Sequence, residues 1–168
     1  MPGADGVGRV SAKVFRIGLI SDTHGLLRPQ ALQFLAGCDH IVHAGDIGDA
    51  EILARLAAIA PLTAVAGNND TGPWAAGLQP TQTLRLRDLV LFVIHDLKDL
   101  PAHAAPPDAR VVVCGHSHKP LVTRRPDGVL VVNPGSAGPR RFKLPVSLGE
   151  LTVDGQGEAV PRLVQLAV

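Results

Sequence analysis

The stretch Ile41-Val42-His43-Ala44-Gly45-Asp46-Ile47-Gly48-Asp49 decides how the rest of the chain reads. Two β-branched residues close an apolar run of strand character, and Gly45-Asp46 puts a carboxylate in the turn that follows. Open α/β sheets hold their ligands in the crevice beyond the carboxyl ends of their strands. The same event recurs along the chain. Apolar runs end in Ser21-Asp22-Thr23-His24, in Gly67-Asn68-Asn69-Asp70, in His95-Asp96 and in Gly115-His116-Ser117-His118. Taken singly, an Asp after a strand caps a helix or opens a turn, and a single His is an ordinary surface or core residue. Five strand ends that each deliver Asp, Asn or His, donors that suit divalent first-row metals, point instead to one site.

Working outward, residues 14–20 read as a buried strand, and Pro29 suits the first turn of a helix that runs through Leu35 and ends at Gly37. Residues 39–43 form the second strand. Asp49 then caps a helix over 50–60 whose Ile52, Leu53, Leu56 and Ile59 share one face. With a third strand over 62–66 the first half runs βαβαβ, which predicts parallel strands joined by right-handed crossovers. Beyond Asp70 the style changes. Residues 71–80 form a loop around Trp74, strands 81–87 and 89–95 turn back at Asp88, and 101–107 is a loop or short helix. A strand over 110–114 runs straight into the His pair. Pro126-Asp127-Gly128 marks a hairpin between 121–125 and 129–132, and Asn133-Pro134-Gly135-Ser136 follows as a loop. Strands 145–153 and 158–166 close the chain as another hairpin. The expectation is a flexible tail over 1–13 and a single domain over 14–168, its parallel first half packed against a more antiparallel second half with helices outside.

Composition narrows the function classes. At 168 residues the chain can bury a real core, and 46% hydrophobic with 18% charged residues is the balance of a globular protein. A formal net charge of +1 supplies no field toward nucleic acid or anionic lipid. Aromatic content of 3% with no Tyr leaves no nucleic-acid stacking platform. Cys38 and Cys114 are too few for a disulfide framework. The first residues lack the apolar core of a signal peptide, and no apolar run reaches membrane-spanning length, so a cytoplasmic protein without membrane partners is expected. The sequence carries no signal for oligomeric state.

The donors come in pairs. Asp22 and His24 are two apart, as are His116 and His118, and in an extended segment residues two apart point the same way. With Asp46, Asn68 and His95 the set exceeds what a four-coordinate structural zinc needs, and it contains no thiol. Two ions about 3.5–4 Å apart, bridged by a carboxylate, would use the whole set. Asp46 is the best-placed bridge.

The ordered series Asp22-x-His24, Gly45-Asp46-x-x-Asp49, Gly67-Asn68-Asn69-Asp70, His95 and Gly115-His116-Ser117-His118 is similar to the calcineurin-like metallophosphoesterase superfamily. The small size and the Asn133-Pro134-Gly135-Ser136 segment resemble its compact bacterial and archaeal phosphodiesterase branch, and the likeness covers 14–166. It implies an α/β fold, a four-layer αββα sandwich of two mixed β-sheets flanked by helices. It further implies that Asp22, His24, Asp46 and His118 hold one divalent ion, and that Asp46, Asn68, His95 and His116 hold the other. The implied activity is a metal-dependent phosphoesterase, foremost a phosphodiesterase, with Asp46, Asn68 and His95 in catalytic positions. Two cations would lower the pKa of a shared water and clamp the phosphate of a small phosphodiester or phosphoester for in-line attack. Oxygen and nitrogen donors without thiolate suit Mn²⁺ first, with Ni²⁺, Co²⁺, Fe²⁺ or Zn²⁺ as other occupants and Mg²⁺ poorer. Asp49, Asn69 and Asp70 are candidates for supporting the ligands: Asp49 and Asp70 stand where they can orient ligand histidines, or equally cap a helix and form a turn, and Asn69 can equally hold the turn between Asn68 and Asp70. The fold also serves as a non-catalytic scaffold in a trafficking complex whose metal site is degraded. A scaffold or protein-interaction module is therefore the second reading, and intact donors at every position favour the enzyme.

Two positions depart from the superfamily pattern. Many of its phosphatases carry His directly after the motif Asn, where it assists the leaving group, and here that residue is Asn69. The residue after His95 is commonly Gly, and here it is Asp96, which either reaches the metals or faces solvent. His43 lies one alternation away from the donors and reads as a core or supporting residue. His40 and His103 read as exposed.

Overall fold

Side-chain alternation sorts the strands into layers. In the computed structural model, which describes residues 13–103 and 105–168, β1 (Phe15–Ile20) turns Ile17 and Leu19 to one face and Ile20 to the other. The tail expected over 1–13 lies outside the described residues except for Lys13. β2 (His40–His43) and β3 (Leu62–Ala64) continue the sheet in parallel, with α1 (Pro29–Leu35) and α2 (Ala50–Ala57) as the crossovers. Pro29 opens α1, and Asp49 caps α2 by accepting from the backbone N–H of Glu51 at 2.9 Å.

The second sheet comprises β4 (Thr81–Leu86), β5 (Leu89–Ile94), β6 (Val111–Val113), β7 (Leu121–Arg124) and β8 (Leu130–Asn133), in the order β4-β5-β6-β8-β7. The closing hairpin, β9 (Ser147–Val153) and β10 (Ala159–Gln165), returns to the first sheet, whose order is β10-β9-β1-β2-β3. Two mixed sheets are what the resemblance implies, and the expected packing of a parallel first half against a more antiparallel second half is corrected in that the closing hairpin joins the first sheet and the second sheet has a parallel centre. β9 pairs antiparallel with β1, while β5, β6 and β8 run parallel, so both sheets are mixed. Local alternation identifies a hairpin but cannot say which free edge it joins.

Ile17, Leu19, Val42 and Leu151 of the first sheet face Leu91, Val93, Val113 and Val132 of the second, which makes the central core. The outer face of the first sheet is covered by α1 and α2 through Leu35, Ile52 and Leu56. On the outer face of the second sheet, Phe92, Ile94 and Val112 pack under Leu97 and Leu100. Those two belong to a 3-10 helix over Leu97–Ala102, so the fourth layer of the sandwich is a single short element. It precedes the expected loop or helix at 101–107, because Asp96 caps it by accepting from the backbone N–H of Lys98 at 3.0 Å.

One polar cluster braces the first sheet away from its functional end. Glu150 on β9 is 6% exposed and accepts from Arg16 and, at 2.9 Å, from Arg162, while the Arg16 guanidinium lies 4.9 Å from the Phe34 ring centre. Burial alone would raise the Glu150 carboxyl, but the two guanidiniums outweigh it and hold it below its ordinary 4.5. A depressed native pKa contributes stability that is present above the unfolded pKa and lost as pH falls through the native one. Glu150→Gln should therefore cost about 1–3 kcal/mol at neutral pH, by leaving charged donors without their acceptor. That difference should shrink below pH 4.5. Urea midpoints at neutral and acid pH check this, and a cost that persists undiminished in acid would assign it to packing.

Candidate metal centre

The carboxyl ends of β1, β2, β5 and β6 open onto one end of the sandwich, and the backbone there continues the strand pairing. Asp22 N–H donates to Gly45 O at 3.0 Å, His24 N–H to Asp46 O at 2.9 Å and Gly25 N–H to Ile47 O at 2.8 Å. The donors converge through an unusual backbone. Asp22, His24, Asp46, His116 and His118 all have positive φ, between 45° and 70°. Only two other non-glycine residues of the described chain, Arg87 and Phe142, share that conformation. The expectation that paired donors line up along extended segments is thus corrected: left-handed turns aim them. Such conformations cost of order 1–3 kcal/mol each and gather where function requires them, although Asp and His tolerate them better than most residues.

Two groups of side chains result. In the first, Asp22 Oδ1 lies 3.3 Å from His118 Nε2 and 3.7 Å from His24 Nε2. In the second, Asp46 Oδ2 lies 3.3 Å from His95 Nε2, and His116 completes the set. Asn68 joins through its Oδ1, 3.2 Å from His116 Nδ1. The groups adjoin, since Asp46 Oδ2 is also 3.7 Å from His24 Nε2, and Asp22 Oδ1 is 4.0 Å from His95 Nε2. All seven residues singled out from the sequence therefore meet at one place, with Asp46 between the two groups.

Unpartnered atoms test whether cations fit. Asp22 Oδ2 is engaged by Ser21 Oγ at 2.7 Å and the backbone N–H of His116 at 3.1 Å, but Asp22 Oδ1 is buried without a hydrogen bond. His95 donates from Nδ1 to Ala44 O at 2.7 Å, which leaves Nε2 with its lone pair, also buried without a partner. The third such atom among the described residues is His118 Nδ1. A buried polar group left unpaired costs about 1–3 kcal/mol, and a divalent cation in each group would satisfy the oxygen of one and the ring nitrogen of the other. A donor set of carboxylate, imidazole and amide suits such ions.

The electrostatics agree. Burial alone would raise the Asp22 carboxyl, but contacts with His118, His24 and Ser21 outweigh it and hold the group well below the carboxylate range. Burial likewise pushes Asp46 up, and His95 with the backbone N–H of Asn69 brings it down. Both stay anionic at neutral pH. Burial would lower the His95 imidazole, yet Asp46 and Asp22 raise it, so the carboxylates draw positive charge to this place.

Several neighbouring residues have roles that the sequence left open. Asp49 is exposed and committed to the α2 cap, so it orients no histidine. Asp70 is buried and touches no histidine either. Its carboxylate accepts from the backbone N–H groups of Ile47, Gly48 and Gly67 at 2.8–3.1 Å, which ties the Asp46 loop to the Asn68 loop. Asn69 grips Asp46 directly, donating from its backbone to Oδ1 at 2.9 Å and from its amide to Oδ2 at 3.0 Å. Asp96 reaches a histidine of the second group, its Oδ2 lying 3.5 Å from His116 Nε2. His40 and His103 are half-buried rather than exposed, His40 being bonded to Thr63 Oγ1 at 2.8 Å.

The Asn133-Pro134-Gly135-Ser136 segment, which the sequence shows only as a loop of the resembling branch, supports the centre from β8 and the turn after it. Asn133 donates to Gly115 O at 2.9 Å and to Ser117 Oγ at 3.1 Å, which steadies the turn bearing His116 and His118. Ser136 Oγ donates to Asp22 O at 2.9 Å. The available signal was a run of small and polar residues directly after an apolar strand.

Comparison with known proteins agrees with this picture. Residues 15–156 match the calcineurin-like phosphoesterase superfamily domain. The chain is 33% identical over 156 residues to a probable metallophosphoesterase of Methanocaldococcus jannaschii, covering 85% of this chain and 78% of that protein. It is 34% identical over 155 residues to a probable metallophosphoesterase of Methanothermobacter thermautotrophicus, covering 83% and 87%. Among solved structures, its fold is similar to Vacuolar Protein Sorting 29 from Cryptosporidium parvum, with a TM-score of 0.71, 18% identity and coverage of 92% and 99%. It is also similar to Yfce, a phosphoesterase from E. coli, with a TM-score of 0.66, 24% identity and coverage of 91% and 100%.

Proposed function

The chain belongs to the calcineurin-like phosphoesterase superfamily, and we propose that it is a two-metal phosphodiesterase acting on a small phosphodiester or activated phosphoester. The observation that carries the reading is the place of Asp46, whose carboxylate lies within 3.7 Å of a histidine from each donor group. Asp22, His24, Asp46 and His118 would hold one cation, and Asp46, Asn68, His95 and His116 the other. Bound there, two divalent cations supply a lowered pKa for water and positive charge for the phosphate oxygens.

The chain's own residues do the rest. Asp22, Asp46, His95 and His118 are buried and close the site from behind, while Asn68 and His116 are exposed and form the rim a substrate would meet. Asn69 keeps Asp46 in place and has no titrating proton to give, so the departing oxygen leaves without help from this position. Mn²⁺ is the expected occupant, since it accepts mixed oxygen and nitrogen donors, whereas Mg²⁺ prefers oxygen and dehydrates reluctantly. Among the described residues no helix is long and apolar enough to cross a membrane; a cytoplasmic location for the protein is part of the proposal.

The test strips the protein with a chelator, reloads it with Mn²⁺ or Mg²⁺, and follows phosphodiesters whose leaving groups run from nitrophenols to alkyl alcohols. Mn²⁺ should restore turnover well and Mg²⁺ poorly, with rates falling steeply as leaving-group pKa rises. General-acid assistance is worth about 10²–10⁴-fold, so a shallow slope would reveal a proton donor and refute the role given to Asn69. Fully Mn²⁺-loaded protein that turns over no phosphoester would favour the scaffold reading.

A further inference from the structure

His43 ends β2 and is completely buried at the functional end of the sheet, yet it contributes nothing to either donor group. Its hydrogen bonds identify its protonation state. Nδ1 lies 3.1 Å from the backbone nitrogen of Gly45, which can only donate, so Nδ1 must carry the lone pair. Burial pushes the imidazole pKa down to about 4, which keeps the ring neutral, and its single proton therefore sits on Nε2. From Nε2 that proton is donated to Thr23 Oγ1 at 3.0 Å. The Thr23 hydroxyl passes its own to Ile47 O at 2.9 Å. Every donor in this chain has one acceptor, and the other tautomer would leave Gly45 N–H facing an N–H.

The relay crosses between two loops. Thr23 stands between Asp22 and His24, while Gly45 and Ile47 flank Asp46 on either side. Asp70 receives the Ile47 N–H from the opposite direction, so the backbone that follows Asp46 is held through both its N–H and its carbonyl. Asp22, His24 and Asp46 all have left-handed backbone in this region, which needs outside support to persist. We propose that His43 is a positioning residue: a neutral, Nε2-protonated imidazole that locks the Asp22/His24 loop to the Asp46 loop at the spacing two cations require. This rests on the reading of Asp22, His24 and Asp46 as metal ligands.

A buried histidine that merely fills space would behave differently, and the variants separate the two roles. His43→Leu conserves volume and removes both bonds. His43→Asn can keep the acceptor for Gly45 N–H, and His43→Gln can keep the donor to Thr23. Thr23→Val removes only the hydroxyl, and Thr23→Ser restores it. The readouts are Mn²⁺ affinity by chelator competition, thermal unfolding of the metal-free protein, and kcat and KM on a nitrophenyl phosphodiester. His43→Leu and Thr23→Val should each weaken Mn²⁺ affinity by about 10–100-fold, the range typical of residues that orient ligands. The double variant should be little worse than either single one, because both break the same relay. Asn, Gln and Ser should each recover part of the affinity. Should His43→Leu fail to fold, Thr23→Val against Thr23→Ser carries the test alone. Wild-type Mn²⁺ affinity in Thr23→Val, or losses that simply add in the double variant, would overturn the proposal while leaving the metal centre intact. Wild-type protein that takes up no Mn²⁺ would overturn both readings.

Discussion

If the proposed two-metal phosphodiesterase reading holds, Asp46→Asn should lose at least one of the two ions and lower phosphodiester turnover by on the order of 10³-fold, the scale seen when a single group that stabilises charge in the transition state is removed. The substitution is isosteric and changes little but charge. Asp46 lies 3.3 Å from His95 and 3.7 Å from His24, one in each donor group, so a neutral amide there leaves neighbouring cations without the anion between them. Asn69 adds a second penalty, because its backbone and amide groups donate to different oxygens of the Asp46 carboxylate, and the one replaced by an amide nitrogen can no longer accept. The fold should survive. Burial and repulsion from Asp22 both act against the Asp46 charge, so removing one of two buried carboxylates offsets part of the lost hydrogen bonding in the metal-free protein. Elemental analysis of the purified variant and its turnover decide the matter. Two bound metals with near-normal rates would refute the bridging role.

Gly67→Ala should be nearly as damaging, although Gly67 offers no side chain to the centre. A Cβ at this position would stand 2.1 Å from Asp46 Oδ1 and 2.2 Å from the Asp46 backbone nitrogen. Neither neighbour is the far end of a flexible chain, so Asp46 itself must move. A misplacement of about 1 Å can cost on the order of 10²-fold in rate, and overpacking of this kind costs about 1–3 kcal/mol of stability. Mn²⁺ affinity should fall with the rate, since the Asp70 clamp on the Gly67 and Ile47 N–H groups is pulled apart together with the carboxylate. Gly77→Ala is the control, because nothing lies within 4 Å of a Cβ there. Equal effects of the two substitutions would show that close approach to Asp46 is not what position 67 requires.

Local pattern alone accounts for which segments become strands and which donors end them. Period-two alternation and β-branched runs are local properties, so β1, β2 and β5 are legible as written, and so is the helix that Asp49 caps. A donor at the end of a strand is equally local, which is why Asp22, His24, Asp46, Asn68, His95, His116 and His118 could be named before any contact was known. Events between segments far apart in the chain are not written in this local pattern. The closing hairpin chose the free edge of β1 over the second sheet, a choice made by packing that no repeat in residues 145–166 encodes. Asp49 and Asp70 look alike in the sequence, yet one caps a helix in solvent and the other gathers backbone N–H groups from two loops, because only Asp70 is brought against Ile47 and Gly48. Asn69 is likewise a turn residue by composition, and it becomes the clamp on Asp46 through contacts spanning 23 residues. The left-handed backbone of the donors belongs to the same class. A residue holds such a conformation only where neighbours over-determine it, and here they come from Gly45, Ile47, Asn133 and Ser136, all separated in sequence from the donors they support.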